Sequence, residues 1–148
     1  MCILFIANNI RSEYPLIVAA NRDEFFERPS TAARFWEDTP DVLAGRDEQA
    51  GGTWLGVNRQ GQFAAVTNFR IPPKFNSAAR SRGDLVVNYL TDKREQDFCK
   101  NLESEFAEYN PFNLVVGDAE RLSIFSSEAP GFKQLNPGCH PISNGLPD

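Results

Sequence analysis

Cysteine and histidine are scarce in this chain. Its three cysteines, Cys2, Cys99 and Cys139, are widely spaced and odd in number, with no CxxC pair and no metal-finger spacing. A disulfide scaffold is therefore excluded, and a reducing compartment is the simpler setting. The one histidine, His140, stands beside Cys139, but two adjacent ligands are too few for a closed metal site. No metal and no cofactor are expected. Long runs of one charge are also missing. The net charge is −5, so there is no basic face of the kind that sequence-independent nucleic-acid binding needs. Long hydrophobic runs are absent too. The opening apolar stretch, Cys2–Ala7, lacks a basic flank and is too short for a secretory signal. Nothing later approaches the roughly eighteen apolar residues of a spanning helix. Together these absences predict a soluble, cytoplasmic protein with no nucleic-acid partner and no integral membrane contact; its oligomeric state stays open.

What is present suffices for one folded domain over residues 1–148, with twelve Phe and two Trp to build a core. Cys2–Ala7 and Leu16–Ala20 read as buried strands joined by a polar turn, which is a hairpin pattern. Asn21–Asp41 reads as irregular, and Gly45, Gly51 and Gly52 as punctuation of a loop. Thr53–Val57 and Phe63–Thr67 read as strands about the turn Asn58-Arg59-Gln60-Gly61. Gly83–Thr91 and Glu95–Tyr109 read as helices; the second carries Phe98, Leu102, Phe106 and Tyr109 on one face and stops at Asn110-Pro111. Phe112–Val116, Leu122–Phe125, Phe132–Leu135 and Cys139–Ser143 read as short strands. Strands, then helices, then strands predict an α+β fold with mostly antiparallel sheets. The chain stops one turn past its last predicted strand, so the domain is expected either to close there or to be cut short at its C-terminus.

Cys2 is the residue with the most chemistry to offer. Behind an initiator methionine, a side chain this small permits normal trimming. The thiol would then share one residue with a free α-amine, whose pKa of about 7.7–8.0 suits it to take the thiol's proton. An N-terminal nucleophile works in this way. On residue type alone, a small buried hydrophobe opening a strand is the plainer explanation of Cys2.

Asn21-Arg22-Asp23-Glu24 follows the second strand directly. If the first two strands pair antiparallel, this tetrapeptide lies beside Cys2. An Asp there can accept hydrogen bonds from an α-ammonium, and an Arg can bind a carboxylate bidentately. A solvated turn with a local ion pair is the plainer alternative.

Several separated motifs, in order, resemble the NRDE family, to which the Transport-and-Golgi-organization proteins belong. They are Cys2 with its apolar strand, Ala20-Asn21-Arg22-Asp23-Glu24-Phe25, Arg28-Pro29, Leu43-Ala44-Gly45-Arg46-Asp47, Gly51-Gly52-Thr53-Trp54-Leu55-Gly56, Thr67-Asn68-Phe69-Arg70 and Ser81-Arg82-Gly83. The match is dense over roughly the first 90 residues. The resemblance implies an αββα sandwich of the N-terminal-nucleophile hydrolase kind. A more distant likeness to choloylglycine hydrolases and penicillin V acylases implies roles: Cys2 as nucleophile, Asp23 on the α-amine, and Asn68 with Asn144 as oxyanion donors. Those hydrolases place Arg three residues before the Asp, a position held here by Ala20, so whether the neighbouring Arg22 reaches the thiol is open.

By their place in the family motifs, Asn21, Arg46, Trp54, Arg70 and Arg82 are the expected substrate-binding residues; the arginines would hold an anion if they converge. Trp54 has core filling as its alternative. Two functions follow. One is an N-terminal-cysteine hydrolase or acyltransferase acting on a non-peptide amide or thioester of a small-molecule substrate. The other is a non-catalytic module that binds or traffics a hydrophobic ligand, haem or acyl lipid, in secretory organisation or lipid homeostasis.

Overall fold

The computed structural model describes residues 2–69, 71–92 and 94–146. Two apolar runs close together make the first hairpin. β1 (Ile3–Asn8) pairs antiparallel with β2 (Leu16–Asn21) from Ile3 opposite Asn21 to Asn8 opposite Leu16. Asn9, with φ of 51°, takes the left-handed conformation that Asn tolerates at turns. The last strand, β10 (Gly138–Ile142), pairs with the other edge of β1, giving a three-stranded sheet in the order β10-β1-β2.

The remaining strands form a seven-stranded meander in chain order. They are β3 (Ser30–Phe35), β4 (Val42–Asp47), β5 (Leu55–Asn58), β6 (Phe63–Asn68), β7 (Phe112–Gly117), β8 (Leu122–Ser126) and β9 (Ala129–Gln134). Every pairing in both sheets is antiparallel. Two helices, α1 (Gly83–Thr91) and α2 (Glu95–Glu105), interrupt the meander between β6 and β7.

Strand alternation sends neighbouring residues to opposite faces, so the large sheet builds two cores. One face, with Val42, Ala44, Ala64, Leu114, Val116 and Phe125, packs on Leu85, Val86, Tyr89 and Leu90 of α1 and on Phe98 and Leu102 of α2. The other face, with Phe63, Ala65, Val115, Leu122 and Ile124, packs on Leu4, Ile6 and Ile142 of the small sheet. The layers run helices, large sheet, small sheet. Beyond them, the outer face of the small sheet leaves Phe5 and Ile17 exposed. Among the described residues no helix is long and apolar enough to cross a membrane.

Three elements depart from the reading of the sequence. The stretch expected to be irregular contains β3, and the loop around Gly45 contains β4. β3 lies at the edge of the sheet, mostly exposed, and shifts register against β4 between Thr31 and Arg34. An exposed edge strand carries no apolar alternation, so its sequence resembles a loop. The second helix is also shorter than expected: after α2 the chain tightens into a 3-10 turn over Phe106–Glu108.

Candidate functional site

Antiparallel order brings alternate strand ends to one rim of the large sheet. β4 ends there at Asp47, Trp54 leads into β5, β6 ends at Asn68, and Asn110-Pro111 leads into β7. The start of α1 lies over the same rim, because Gly52 packs directly on the Gly83 backbone; a Cβ on Gly52 would stand 2.7 Å from the Gly83 carbonyl carbon. Against this rim the small sheet delivers the residue before β1. A cavity of about 420 Å³ opens here, and its wall includes Cys2, Arg22, Asp47, Trp54, Asn68 and Arg82.

Cys2 is partly buried and its thiol is free. The register that sets Ile3 opposite Asn21 brings Cys2 alongside the Arg22-Asp23 segment. The Cys2 Sγ donates to the backbone carbonyl of Asp23 across 3.8 Å, a length ordinary for sulfur. The hairpin therefore juxtaposes the thiol and the tetrapeptide.

Arg22 faces the cavity and is anchored to Asp47. Its Nη2 donates to Asp47 Oδ2 at 2.9 Å, and its guanidinium lies 4.5 Å from the Trp54 ring centre. Asp47 also accepts from Arg28 Nε at 2.7 Å, and its other oxygen accepts from the amides of Gln49 and Ala50 at 3.0 and 3.1 Å. Burial pushes the Asp47 carboxyl up, but the hydrogen bonds from Arg28 and the Ala50 amide outweigh it and hold the group below the ordinary carboxylate range. Glu24 completes the cluster, 3.7 Å from Arg22 and 4.0 Å from Arg28. Trp54 is only half-buried: its ring rests over Gly45, where a Cβ would approach within 2.9 Å. It is cavity wall as well as packing.

Of the expected oxyanion donors, Asn68 lines the cavity. Asn144 stands behind it and donates its amide to the backbone carbonyl of Asn68. The segment carrying Asn144 is tied to the large sheet, because Ser143 O accepts from Thr67 Oγ1 at 2.8 Å and from Asn113 Nδ2 at 3.2 Å. Asn144 thus supports the strand end that presents Asn68.

The other expected residues divide. Arg82, just before α1, lines the cavity; its Nη1 donates to Pro111 O at 3.1 Å. Asn21 is exposed, at the end of β2. Arg46 does not join them. It precedes Asp47 by one residue and so leaves the strand on the opposite face, where it pairs with Asp38 at 2.8 Å over the Trp36 ring. Arg70 lies outside the described residues. The three arginines expected around an anion therefore include one that turns elsewhere. His140 is on β10, bonded to Asn136 O at 2.8 Å, and Cys139 beside it is exposed.

Residues of the cluster that the sequence reading left without a role are Glu24, Arg28 and Asp47. Each stands inside a family motif, and that placement was the only available signal.

A family model described as Transport and Golgi organisation 2 matches residues 1–148. Similar proteins include the Transport and Golgi organization protein 2 homolog of Bos taurus, 39% identical over 160 residues, which cover 99% of this chain and 58% of that protein. The Homo sapiens homolog is 38% identical over the same coverage, and the Drosophila melanogaster protein is 30% identical over 167 residues, covering 99% of this chain and 59% of its own. The chain thus spans under two thirds of the length of the curated relatives it matches. Among solved structures, the Caenorhabditis elegans ortholog of N-acylethanolamine-hydrolyzing acid amidase aligns with a TM-score of 0.50 at 11% identity, covering 97% of this chain and 70% of that one. At that identity the likeness is one of fold, and the fold is of the N-terminal-nucleophile hydrolase kind.

Proposed function

The chain belongs to the Transport and Golgi organisation 2 family, and from that premise we propose that it carries the nucleophile of an N-terminal-cysteine hydrolase or acyltransferase for a non-peptide amide or thioester. The observation that supports this reading is the thiol of Cys2 at a polar cavity with the Asp23 carbonyl 3.8 Å away and Asn68 in the same wall. The solved protein of like fold is an ortholog of N-acylethanolamine-hydrolyzing acid amidase, and this favours an acyl substrate.

The chemistry begins with removal of Met1. The thiol passes its proton to the new α-amine, and the sulfur attacks the acyl carbon. Charge collects on the carbonyl oxygen, where an amide donor from Asn68 would contribute on the order of 3 kcal/mol. Asn144 keeps the Asn68 backbone in place, and Asp23 orients the ammonium. The tetrahedral species collapses to a Cys2 thioester as the C–N or C–S bond breaks, and the ammonium returns its proton to the leaving group. Water, or an acceptor alcohol or amine, then attacks the thioester and frees the thiol. The reacting partner is a small molecule, and the protein is cytoplasmic in this reading; cell fractionation would address the latter.

Competitive alkylation tests the nucleophile. With Met1 removed, as verified by intact mass, iodoacetamide should label the partly buried Cys2 faster than the exposed Cys139. Labelling in the order of exposure would count decisively against the reading. Turnover of acyl amides or thioesters should vanish in Cys2→Ala.

A second reading has its own observation. Phe75 lines the cavity, Phe25 and Phe26 follow the cavity-lining Glu24 in sequence, and all three are largely exposed. An apolar rim of this kind suits retention of an acyl ligand without turnover. Binding of a fluorescent fatty-acyl probe that survives Cys2→Ala, together with no turnover by the native protein, would favour that carrier role.

A further inference from the structure

The ionisable groups around Cys2 are not all balanced. Arg22 and Arg28 are matched by Asp47 and Glu24, at 2.7 to 4.0 Å. Arg80, on the same wall, is turned outward to Glu105 and Glu108 at 3.3 and 3.0 Å and stacks over Tyr109. Arg82 differs from all three. It is partly buried, and among the described residues it forms no ion pair; its hydrogen bond goes to the neutral carbonyl of Pro111. A guanidinium has five N–H donors, and among the described residues one hydrogen bond, to Pro111, is made. Arg82 and Cys2 line the same cavity; burial pushes the Arg82 pKa down, aided by Arg28, while Cys2 and Glu24 act in the opposite direction. A half-buried cation with no carboxylate in direct contact among the described residues is costly to retain, and a bound anion would relieve that cost.

We propose that Arg82 is the anion anchor of the Cys2 cavity, holding a carboxylate or phosphate of the bound molecule, so that the site selects anionic ligands over neutral ones of equal size. The planar fork of the guanidinium suits either group bidentately. Arg22 and Arg28 do not share the task, because each already faces a carboxylate, Asp47, at 2.9 and 2.7 Å. The inference rests on the reading of this cavity as the ligand site, but its test separates the two.

Iodoacetate and iodoacetamide share a leaving group and differ in charge. Their rates at Cys2 and at the exposed Cys139 of the same processed protein can be followed by mass spectrometry. The iodoacetate-to-iodoacetamide rate ratio at Cys2 should exceed that at Cys139 by about fivefold or more. Arg82→Met should bring the ratio down to that of Cys139, and Arg82→Lys should retain part of it. A ratio at Cys2 equal to that at Cys139, or unchanged in Arg82→Met, would overturn the proposal. Should the variants not fold, protection of Cys2 in the native protein still decides. Octanoate or octyl phosphate should slow its reaction with iodoacetamide, the stronger of the two identifying the anion, while octanamide at the same concentration should not; equal protection by octanamide would refute the anchor. Cys2 reacting no faster than Cys139 with iodoacetamide would instead count against the nucleophile, leaving the charge ratio as the measure of Arg82.

Discussion

Asp47 is the residue on which the cavity's geometry turns. Its carboxylate binds two guanidiniums and two backbone amides, and it is 8% exposed. Asp47→Ala would leave Arg22 and Arg28 with only the more distant Glu24 as shared counter-ion and should lower unfolding stability by about 3 kcal/mol, read by urea denaturation. Asp47→Asn keeps the shape and some of the hydrogen bonds and should cost about half as much. The pH dependence has a definite sign. The folded carboxyl lies below its unfolded value of about 3.9, so its contribution is complete above that pH. It fades as pH falls from there through the lower folded value, and Asp47→Asn should flatten that part of the acid limb. Cys2 and the tetrapeptide were readable as neighbours because a short hairpin between two apolar runs fixes their register. Asp47 was not, since its arginines come from positions 19 and 25 residues away across the stretch read as irregular. Arg46 was misplaced for the converse reason: its neighbour in sequence faces the site, but strand alternation sends Arg46 to the other face.

At the scale of elements, the seat of α1 on the glycine-rich loop controls where Arg82 stands. Gly52 and Gly83 meet backbone to backbone, with Thr53 N bonded to Gly83 O at 3.5 Å. Gly52→Ala would drive a methyl group to 2.7 Å from the Gly83 carbonyl carbon, and neither side can rotate away. The helix start must shift, at a cost of about 1–3 kcal/mol. The displacement should also change the alkylation rate of Cys2. Gly61→Ala is the matched control. Its φ of +84° carries strain of about 1 kcal/mol, but its Cβ meets open space, so Cys2 should react as in the native chain. Thermal melts with Cys2 labelling would separate the two cases. The helices and most strands were legible from their own periodicity. β3 and β4 were not: the edge position of β3 removes its apolar pattern, and the clearance needed by Trp54 places Gly45 in the middle of β4, where glycine reads as a break.

Over the whole molecule, the large sheet is the layer that both cores share. All six residues of β7 are buried, and consecutive ones serve opposite cores: Val115 packs toward the small sheet and Val116 toward the helices. The order of elements announced an α+β fold of antiparallel sheets, but not which strands would separate into the small sheet, because that depends on β10 returning to β1 across most of the chain. This closure makes the layers mutually dependent. The small sheet holds Cys2 and the helical layer holds Arg82, so the cavity exists only while both are docked. Val115→Ala and Val116→Ala each remove two methyl groups from a close-packed core, and each should cost about 2 kcal/mol. If the layers unfold as one unit, both variants shift the whole transition. Tryptophan fluorescence, reporting Trp36 in the helix-side core and Trp54 at the cavity, and far-ultraviolet circular dichroism should then give one midpoint for each variant. A Val116→Ala protein that lost helical signal at lower urea while the sheet signal held would show that the layers are separable, and that Arg82 can leave the site while Cys2 remains in place.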